Sequence, residues 1–228
     1  MNSNSDRVVI PEATAFCAAF GNLGSRVGPR TGTDKRTQDQ KEWYVVRRFL
    51  KEAIKARVFH PPISIWKENP PHPDFGVEHG SARNRAFIEI TEATHPDDQR
   101  EMTELELSDK NVMLIGELGG RFSGGAGEPG HVWAADIIEA IERKRNKVIF
   151  SESDDSRHLV IYPNSNASFL IFGEEHERVT FSILQQALAP LIDDFRTIAN
   201  SCLVHVLGKE FICLDVLNAF RLLKRAKQ

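Results

Sequence analysis

Two carboxylates, Asp74 and Glu89, have the spacing expected of a pair on neighbouring strands. Asp74 follows Pro73 at the start of a predicted strand, and Glu89 lies fifteen residues later in the middle of the next strand. Because adjacent strands are about 4.8 Å apart, a suitable register would place both carboxylates over one edge of the sheet. Such a pair can hold Mg²⁺ or Mn²⁺, since hard cations prefer oxygen ligands and an ion between two carboxylates relieves their repulsion. The spacing thus predicts a metal site suited to reactions at phosphorus.

An amphipathic helix precedes these strands. From Asp39 the apolar residues recur at helical spacing, and Glu42 starts a stripe that continues through Val46, Phe49 and Ala53. We therefore expect the Glu42 carboxylate at the start of the buried face. An acid that interacts with the helix dipole is the alternative interpretation of Glu42.

Three strands are predicted after this helix. The segments ISIWKE, DFGVEHG and AFIEITEA are separated by the proline-rich turn NPPHP and by the polar hairpin turn SARNR. Alternation in the third strand places Phe87, Glu89 and Thr91 on one face, and Ile88, Ile90 and Glu92 on the other. Each face of the strand that contains Glu89 therefore carries one acid.

A second helix and further strands follow. In VWAADIIEAIERKRNK the stripe through Ile137 and Ile141 continues to Lys144, which is expected on the inward face. HLVIYP, SFLIF and CLVHVL are predicted strands, and the helix before CLVHVL is interrupted near Pro190. This order of elements predicts an α/β or α+β fold with a central mixed β-sheet flanked by helices.

The residues P-D-F from Pro73 and I-E-I-T from Ile88, preceded by a helix with an inward glutamate, resemble the PD-(D/E)xK nuclease-like superfamily. The resemblance extends from about Lys41 to Phe172. It implies a restriction-endonuclease-like core of helix, three strands, helix and strand. It also implies a hydrolase that cleaves phosphodiester bonds of DNA or RNA with Mg²⁺ or Mn²⁺.

The resemblance assigns roles to four residues of this chain. It implies that Asp74 and Glu89 bind the metal ion and that Glu42 is an additional ligand. It further implies that Ile90, the middle residue of the E-x-K triplet, offers its backbone carbonyl to the metal.

Thr91 stands where the superfamily motif has its lysine. A neutral hydroxyl cannot replace an ammonium electrostatically, although Thr91 can orient the attacking water by hydrogen bonding.

Some members of the superfamily carry the lysine on the following helix, and there this chain has Lys144 on the inward stripe. Lys147, at the edge of the stripe, is the second choice. A helix-end lysine that extends its ammonium to solvent is the alternative interpretation of Lys144.

Several basic residues are candidates for binding a phosphate backbone. They are Arg83 and Arg85 in the predicted hairpin, Arg121 in a glycine-rich segment, and Lys147 at the end of the second helix. Simple solvation is the alternative interpretation of each. No helix-turn-helix, zinc finger or RNA-binding motif is recognisable, so the pattern does not separate DNA from RNA.

Composition limits the classes of protein. A net charge of −3, from 29 basic and 32 acidic residues, excludes a sequence-blind polycation. Cys17, Cys202 and Cys213 form no CxxC pair, and an odd number of cysteines indicates free thiols in a reducing compartment. The polar start MNSNSDR and the lack of a long apolar run predict a cytoplasmic protein without a membrane span.

The domain prediction is a loosely ordered N-terminal arm over residues 1–38 and one nuclease-like α/β domain over residues 39–228. The latter ends in a C-terminal helical or strand extension, whose apolar stripe and basic end suit packing on the core, a homodimer contact or another protein partner. Two alternatives to a nuclease stay open. One is a catalytically inactive module with the nuclease fold that binds nucleic acid or protein, and the other is an unrelated α/β domain.

Overall fold

The computed structural model of the protein describes residues 7–21, 37–69, 72–94, 128–145, 155–163, 171 and 173–224. Within these ranges, eight strands are hydrogen-bonded in chain order in one mixed sheet, and five α-helices accompany them. The strands are β1 (Val8–Ile10), β2 (Ile63–Lys67), β3 (Phe75–His79), β4 (Asn84–Ala93), β5 (Ser156–Pro163), β6 (Leu203–Leu207), β7 (Phe211–Leu214) and β8 (Arg221–Lys224). The helices are α1 (Phe16–Gly21), α2 (Gln38–Lys55), α3 (Glu128–Arg145), α4 (Gly173–Leu188) and α5 (Arg196–Ser201). The predicted combination of helices with a mixed sheet is confirmed.

The predicted elements that fall within the described ranges form where the sequence pattern places them. The helix predicted from Asp39 is α2, and the three strands predicted after it are β2, β3 and β4. The helix α4 ends at Leu188, and a 3-10 turn over Ala189–Leu191 follows, so the predicted interruption near Pro190 is confirmed. Of the predicted strand SFLIF only Ile171 lies within the described residues.

The chain divides into two compact units. The first consists of Met1–Ile90 and Val148–Val160, and the second of Thr91–Lys147 and Ile161–Gln228. Part of the segment predicted as an arm belongs to the first unit, since β1 pairs with β2 through Val8↔Ile65. A strand of three residues offers too little alternation to be recognised in the sequence.

Helix α2 begins at a capping box. The Thr37 hydroxyl accepts a hydrogen bond from the Gln40 backbone N–H at 3.2 Å, and the Gln40 side-chain carbonyl accepts from the Thr37 N–H at 2.8 Å. This reciprocal pair satisfies two donors that a helix start leaves without intrahelical partners, and an N-cap of this type contributes about 1 kcal/mol. The helix that carries Glu42 therefore has a fixed starting point.

The apolar face of α2 covers one face of the β2–β3–β4 meander. Val46, Phe49 and Ala53, which continue the predicted stripe of Glu42, are fully buried. The rings of Trp43 and Phe75 meet edge to face with centroids 4.8 Å apart, which joins α2 directly to β3. This packing fixes the helix against the strands on which Asp74 and Glu89 are placed.

The second unit contains α3, α4 and the C-terminal strands. Helices α3 and α4 pack through the edge-to-face rings of Trp133 and Phe181, at 5.1 Å between centroids. The buried carboxylate of Glu177 in α4 accepts hydrogen bonds from the backbone N–H groups of Glu210 at 2.8 Å and Phe211 at 3.4 Å, at the turn between β6 and β7. Glu177 thus stabilises the connection between these two strands.

No helix of the described ranges has the length and apolar character that crossing a membrane requires.

A buried histidine makes the first unit sensitive to acid. His158 on β5 is 2% exposed and packs between the rings of Phe59 and Phe49, with centroid distances of 4.9 Å and 6.1 Å. Burial, with a smaller contribution from the charge of His79, lowers the pKa of His158 from 6.5 to about 3. The unfolded chain binds a proton near its ordinary pKa, whereas the folded chain resists protonation, so stability is complete above that pKa and decreases as the pH falls below it.

We expect the free energy of unfolding to decrease by about 3 kcal/mol through this histidine between about pH 7 and pH 4. Urea unfolding at several pH values measures the effect, with His158→Phe as the control variant because it fills the site without a titratable group. The difference in stability between wild type and His158→Phe should change in favour of the variant as the pH falls. A difference that stays constant with pH would contradict the assignment.

Candidate active site

The register of β3 and β4 brings Asp74 opposite Glu89. Phe75 pairs with Ile88 in this antiparallel ladder, so the residue before Phe75 lies opposite the residue after Ile88. The Asp74 carboxylate accepts a hydrogen bond from the Ile90 backbone N–H at 2.8 Å, which ties the aspartate side chain to the strand of Glu89. The two acids that the sequence singled out are therefore cross-strand neighbours.

A third acid, Glu68, lies directly after β2 and continues this row. Lys67 pairs with Phe75, and the Glu68 backbone N–H donates to the Asp74 carbonyl oxygen at 3.0 Å. Directly opposed residues of adjacent strands have Cβ atoms about 4.5–5.5 Å apart and project to the same face. Glu68 after β2, Asp74 before β3 and Glu89 within β4 thus form an acidic row. The Trp66 indole N–H donates to Glu68 at 2.6 Å and holds its carboxylate in place.

Lys67, the last residue of β2, is a charged residue near this site that the sequence pattern did not single out. Its ammonium forms an ion pair with the Glu42 carboxylate, in which the two side chains are 25% and 12% exposed. The ammonium also lies 4.6 Å from the ring centre of Phe75. Burial lowers the pKa of Lys67 below its ordinary 10.5, while the nearby charges of Asp74, Asp39 and Glu89 act in the opposite direction. By register with Phe75, Lys67 belongs to the face of the sheet that α2 covers, and the charges of Asp74 and Glu89 act on its pKa from the neighbouring strand positions.

Glu42 connects α2 to the end of β2. Besides the ion pair with Lys67, its carboxylate accepts a hydrogen bond from the Gln38 side-chain amide at 2.8 Å. The partial burial that the helical stripe predicts for Glu42 is confirmed. In the structure the contact with Lys67, rather than the helix dipole alone, accounts for an acid at this position.

The remaining residues of the predicted site lie in several places. Ile90 is nearly buried and donates its N–H to Asp74. Arg83 and Arg85 are exposed at the hairpin turn and on β4. Thr91 and Lys144 are half-buried and belong to the second unit. Arg121 and Lys147 lie outside the described residues.

The donor chemistry of the acidic row fits a magnesium or manganese ion. Mg²⁺ is commonly bound through one or two carboxylates, with water and substrate phosphate oxygens completing its coordination. Asp74 and Glu89 supply such a pair. Over the ranges described above, no group of three or more Asp, Glu, His or Cys side chains is arranged to hold a metal by itself. A site built here would therefore use water and substrate oxygens as well as protein ligands.

Comparison with known proteins finds no matching family model, no matching curated protein and no matching solved structure.

Proposed function

We propose that this protein is a metal-dependent nuclease with a PD-(D/E)xK-like core, which hydrolyses phosphodiester bonds of DNA or RNA with Mg²⁺ or Mn²⁺. The observation that carries the proposal is the placement of Asp74 opposite Glu89, with a hydrogen bond from Ile90 and the charge of Lys67 nearby. The element order α2, β2, β3, β4, α3, β5 supports it, because helix, three strands, helix and strand is the order of a restriction-endonuclease-like core.

Asp74 and Glu89 bind the ion in this proposal, together with the Ile90 carbonyl. When bound, the ion supplies Lewis-acid activation of water and neutralises charge on the phosphate. The Ile90 N–H donates to one carboxylate oxygen of Asp74, Oδ2. The other oxygen, Oδ1, and the remaining lone pair of Oδ2 are available to bind the ion. Glu42 either assists as a further ligand, as the resemblance implies, or orients Lys67 through their ion pair.

Lys67 takes the electrostatic role of the strand lysine that Thr91 replaces. Its side chain starts on the α2 face at the end of β2, so in this role it would extend past the strand end toward the phosphate, where an ammonium stabilises the negative charge that develops during attack. Lys144 is the alternative source of the ammonium. The strand register favours Lys67, because it pairs with Phe75, the residue next to Asp74, and the charges of Asp74 and Glu89 act on its pKa. Thr91 orients the attacking water through its hydroxyl in this scheme.

An inactive binding module is the second candidate function. The observation that favours it is Thr91 itself, since the strand that carries Glu89 has no lysine to complete the motif. Such a module would bind nucleic acid, or a protein partner or second copy of the chain through the C-terminal region. We place either protein in the cytoplasm, and the free thiols of Cys17, Cys202 and Cys213 agree with a reducing compartment.

Cleavage of end-labelled single-stranded and duplex DNA and RNA tests the proposal. We expect products with Mg²⁺ or Mn²⁺ and no products with excess EDTA. Binding of an oligonucleotide without cleavage under any of these metal conditions would contradict the nuclease and support the binding module.

A further inference from the structure

The face of the meander opposite α2 carries three rows of side chains, set by the strand registers. We call it the outer face and define it by these rows. Val9 pairs with Ser64, and Val8 with Ile65, so Arg7 lies opposite Trp66. The first row is Val9, Ser64, Glu78 and Arg85, the second is Arg7, Trp66, Gly76 and Phe87, and the third is the acidic row Glu68, Asp74 and Glu89.

The second row is an aromatic platform lined by guanidinium groups. The Trp66 ring lies across Gly76, and a Cβ atom at Gly76 would overlap that ring, so glycine makes room for it. The Arg7 guanidinium lies 5.1 Å from the Trp66 ring centre, and Arg85 lies 5.5 Å from that of Phe87. Trp66 and Phe87 are only half-buried. Flat π-faces and guanidinium planes at one level of a sheet suit the stacking of nucleobases.

The first row and the adjoining turn form a basic end. A concavity of about 370 Å³ lies there, with Arg7, Arg83, Ser64 and Glu78 among its lining residues. Arg7 pairs with Glu78 at 2.9 Å, and Arg85 lies opposite the same glutamate. Arg7 and Arg85 thus lie beside one carboxylate and Arg83 lines the same concavity, so the basic end retains excess positive charge that suits phosphate groups.

The basic end and the acidic row lie on the same strands at a distance that a nucleic-acid strand can bridge. Glu78 is four residues from Asp74, and Arg85 is four residues from Glu89, which corresponds to roughly 13 Å at the rise of a β-strand. The aromatic row lies midway. Phosphate, base and reacting phosphate sites therefore follow one another along the strands.

We infer that the outer face binds one unpaired strand of nucleic acid, with phosphates at the arginines and a base on the aromatic row, and leads its backbone to Asp74 and Glu89. The inference rests on the proposed function for the role of the acidic row. Unpaired bases are required because base faces inside a duplex are stacked on one another and are not open to Trp66, Phe87 or the guanidinium groups.

Fluorescence anisotropy with labelled single-stranded DNA, single-stranded RNA and duplex DNA, in EDTA, tests the inference without cleavage. The double variant Arg83→Asn/Arg85→Gln should weaken single-strand binding at least about tenfold. The matched control is Arg57→Asn/Arg196→Gln, which removes the same charge from two other exposed arginines. Arg57 has a positive φ, as Arg83 does. Asparagine is used at both positive-φ sites because it tolerates that conformation.

Phe87→Leu tests the aromatic row separately and should weaken single-strand binding about tenfold. Its control is Tyr44→Leu, since Tyr44 is also half-buried and has an arginine, Arg48, 5.5 Å from its ring centre. Circular dichroism checks the fold of each variant. Tighter binding of duplex than of single strands, or equal losses in the control variants, would overturn the inference.

The two proposals fail in different ways. Single-strand binding that depends on Arg83, Arg85 and Phe87, without cleavage by the wild type, supports the outer-face inference and contradicts the nuclease. Metal-dependent cleavage of duplex that is unchanged in these variants contradicts the outer-face inference and supports the nuclease. Weaker binding of either single-stranded DNA or single-stranded RNA by these variants supports the outer-face inference equally. The nucleic acid that the wild-type protein binds more tightly then identifies whether the bound strand is DNA or RNA.

Discussion

Replacement of Asp74 by asparagine is expected to lower the rate of phosphodiester cleavage by roughly 1,000-fold. Loss of an outer-shell partner of a metal typically costs about 10- to 100-fold in affinity or activity, and a direct carboxylate ligand contributes more. The amide oxygen of asparagine can still accept the hydrogen bond from the Ile90 N–H, so the change removes the charge while the contact between β3 and β4 is kept. Initial rates of cleavage at saturating Mg²⁺ or Mn²⁺ measure the loss.

The matched control is Asp193→Asn, which neutralises an exposed aspartate in the second unit. Asp193 pairs with Arg196 on the surface, and both side chains are largely exposed. An exposed ion pair contributes at most about 1 kcal/mol to stability, so cleavage should be unchanged. Equal rates in wild type and Asp74→Asn would contradict the role of Asp74 as a ligand.

Lys67→Met is the second large effect, and we expect it to lower the rate of cleavage by roughly 100-fold while metal binding persists. Positioned groups that stabilise charge in the transition state are worth about 10²- to 10³-fold in rate. Because methionine has similar length and no charge, the substitution removes the ammonium without opening a large cavity. Single-turnover rates, measured together with the affinity for Mn²⁺, separate the loss of charge stabilisation from a loss of metal.

Three variants control this result. Lys55→Met also removes a lysine from an ion pair with a buried glutamate, since Lys55 contacts Glu52 at 3.1 Å. Glu42→Gln/Lys67→Met removes both charges of the site pair, so it distinguishes loss of the ammonium from the cost of a carboxylate left without its partner. Lys144→Met tests the alternative lysine. A large loss in Lys144→Met with no loss in Lys67→Met would assign the role to α3 instead.

The sequence predicts the strands of the site better than it predicts which side chains meet there. The polar turn SARNR and the alternation of AFIEITEA predict the β3–β4 hairpin, and a tight hairpin sets a register that places Asp74 near Glu89. The helical stripe likewise predicts the partial burial of Glu42. These features depend on local patterns, which a single sequence contains.

Lys67 was missed because its position depends on a longer connection. Residues 68–74 join β2 to β3 through three prolines, and the register across such an irregular loop cannot be derived from turn type. The E-x-K triplet, moreover, points to the strand of Glu89 and to the following helix for a lysine, and not to β2. A lysine at the end of the strand that precedes Pro73-Asp74 was the available signal, and only the pairing of Lys67 with Phe75 brings it next to Asp74.

If Asp74 and Glu89 form one metal site, calorimetric titration of Mn²⁺ into the wild-type protein will show a specific binding event. We expect that event to be lost in both Asp74→Asn and Glu89→Gln, with each variant shown to be folded by circular dichroism. Binding that is unchanged in both folded variants, or no binding by the wild type at millimolar Mn²⁺ with a single-stranded oligonucleotide present, would contradict the shared metal site.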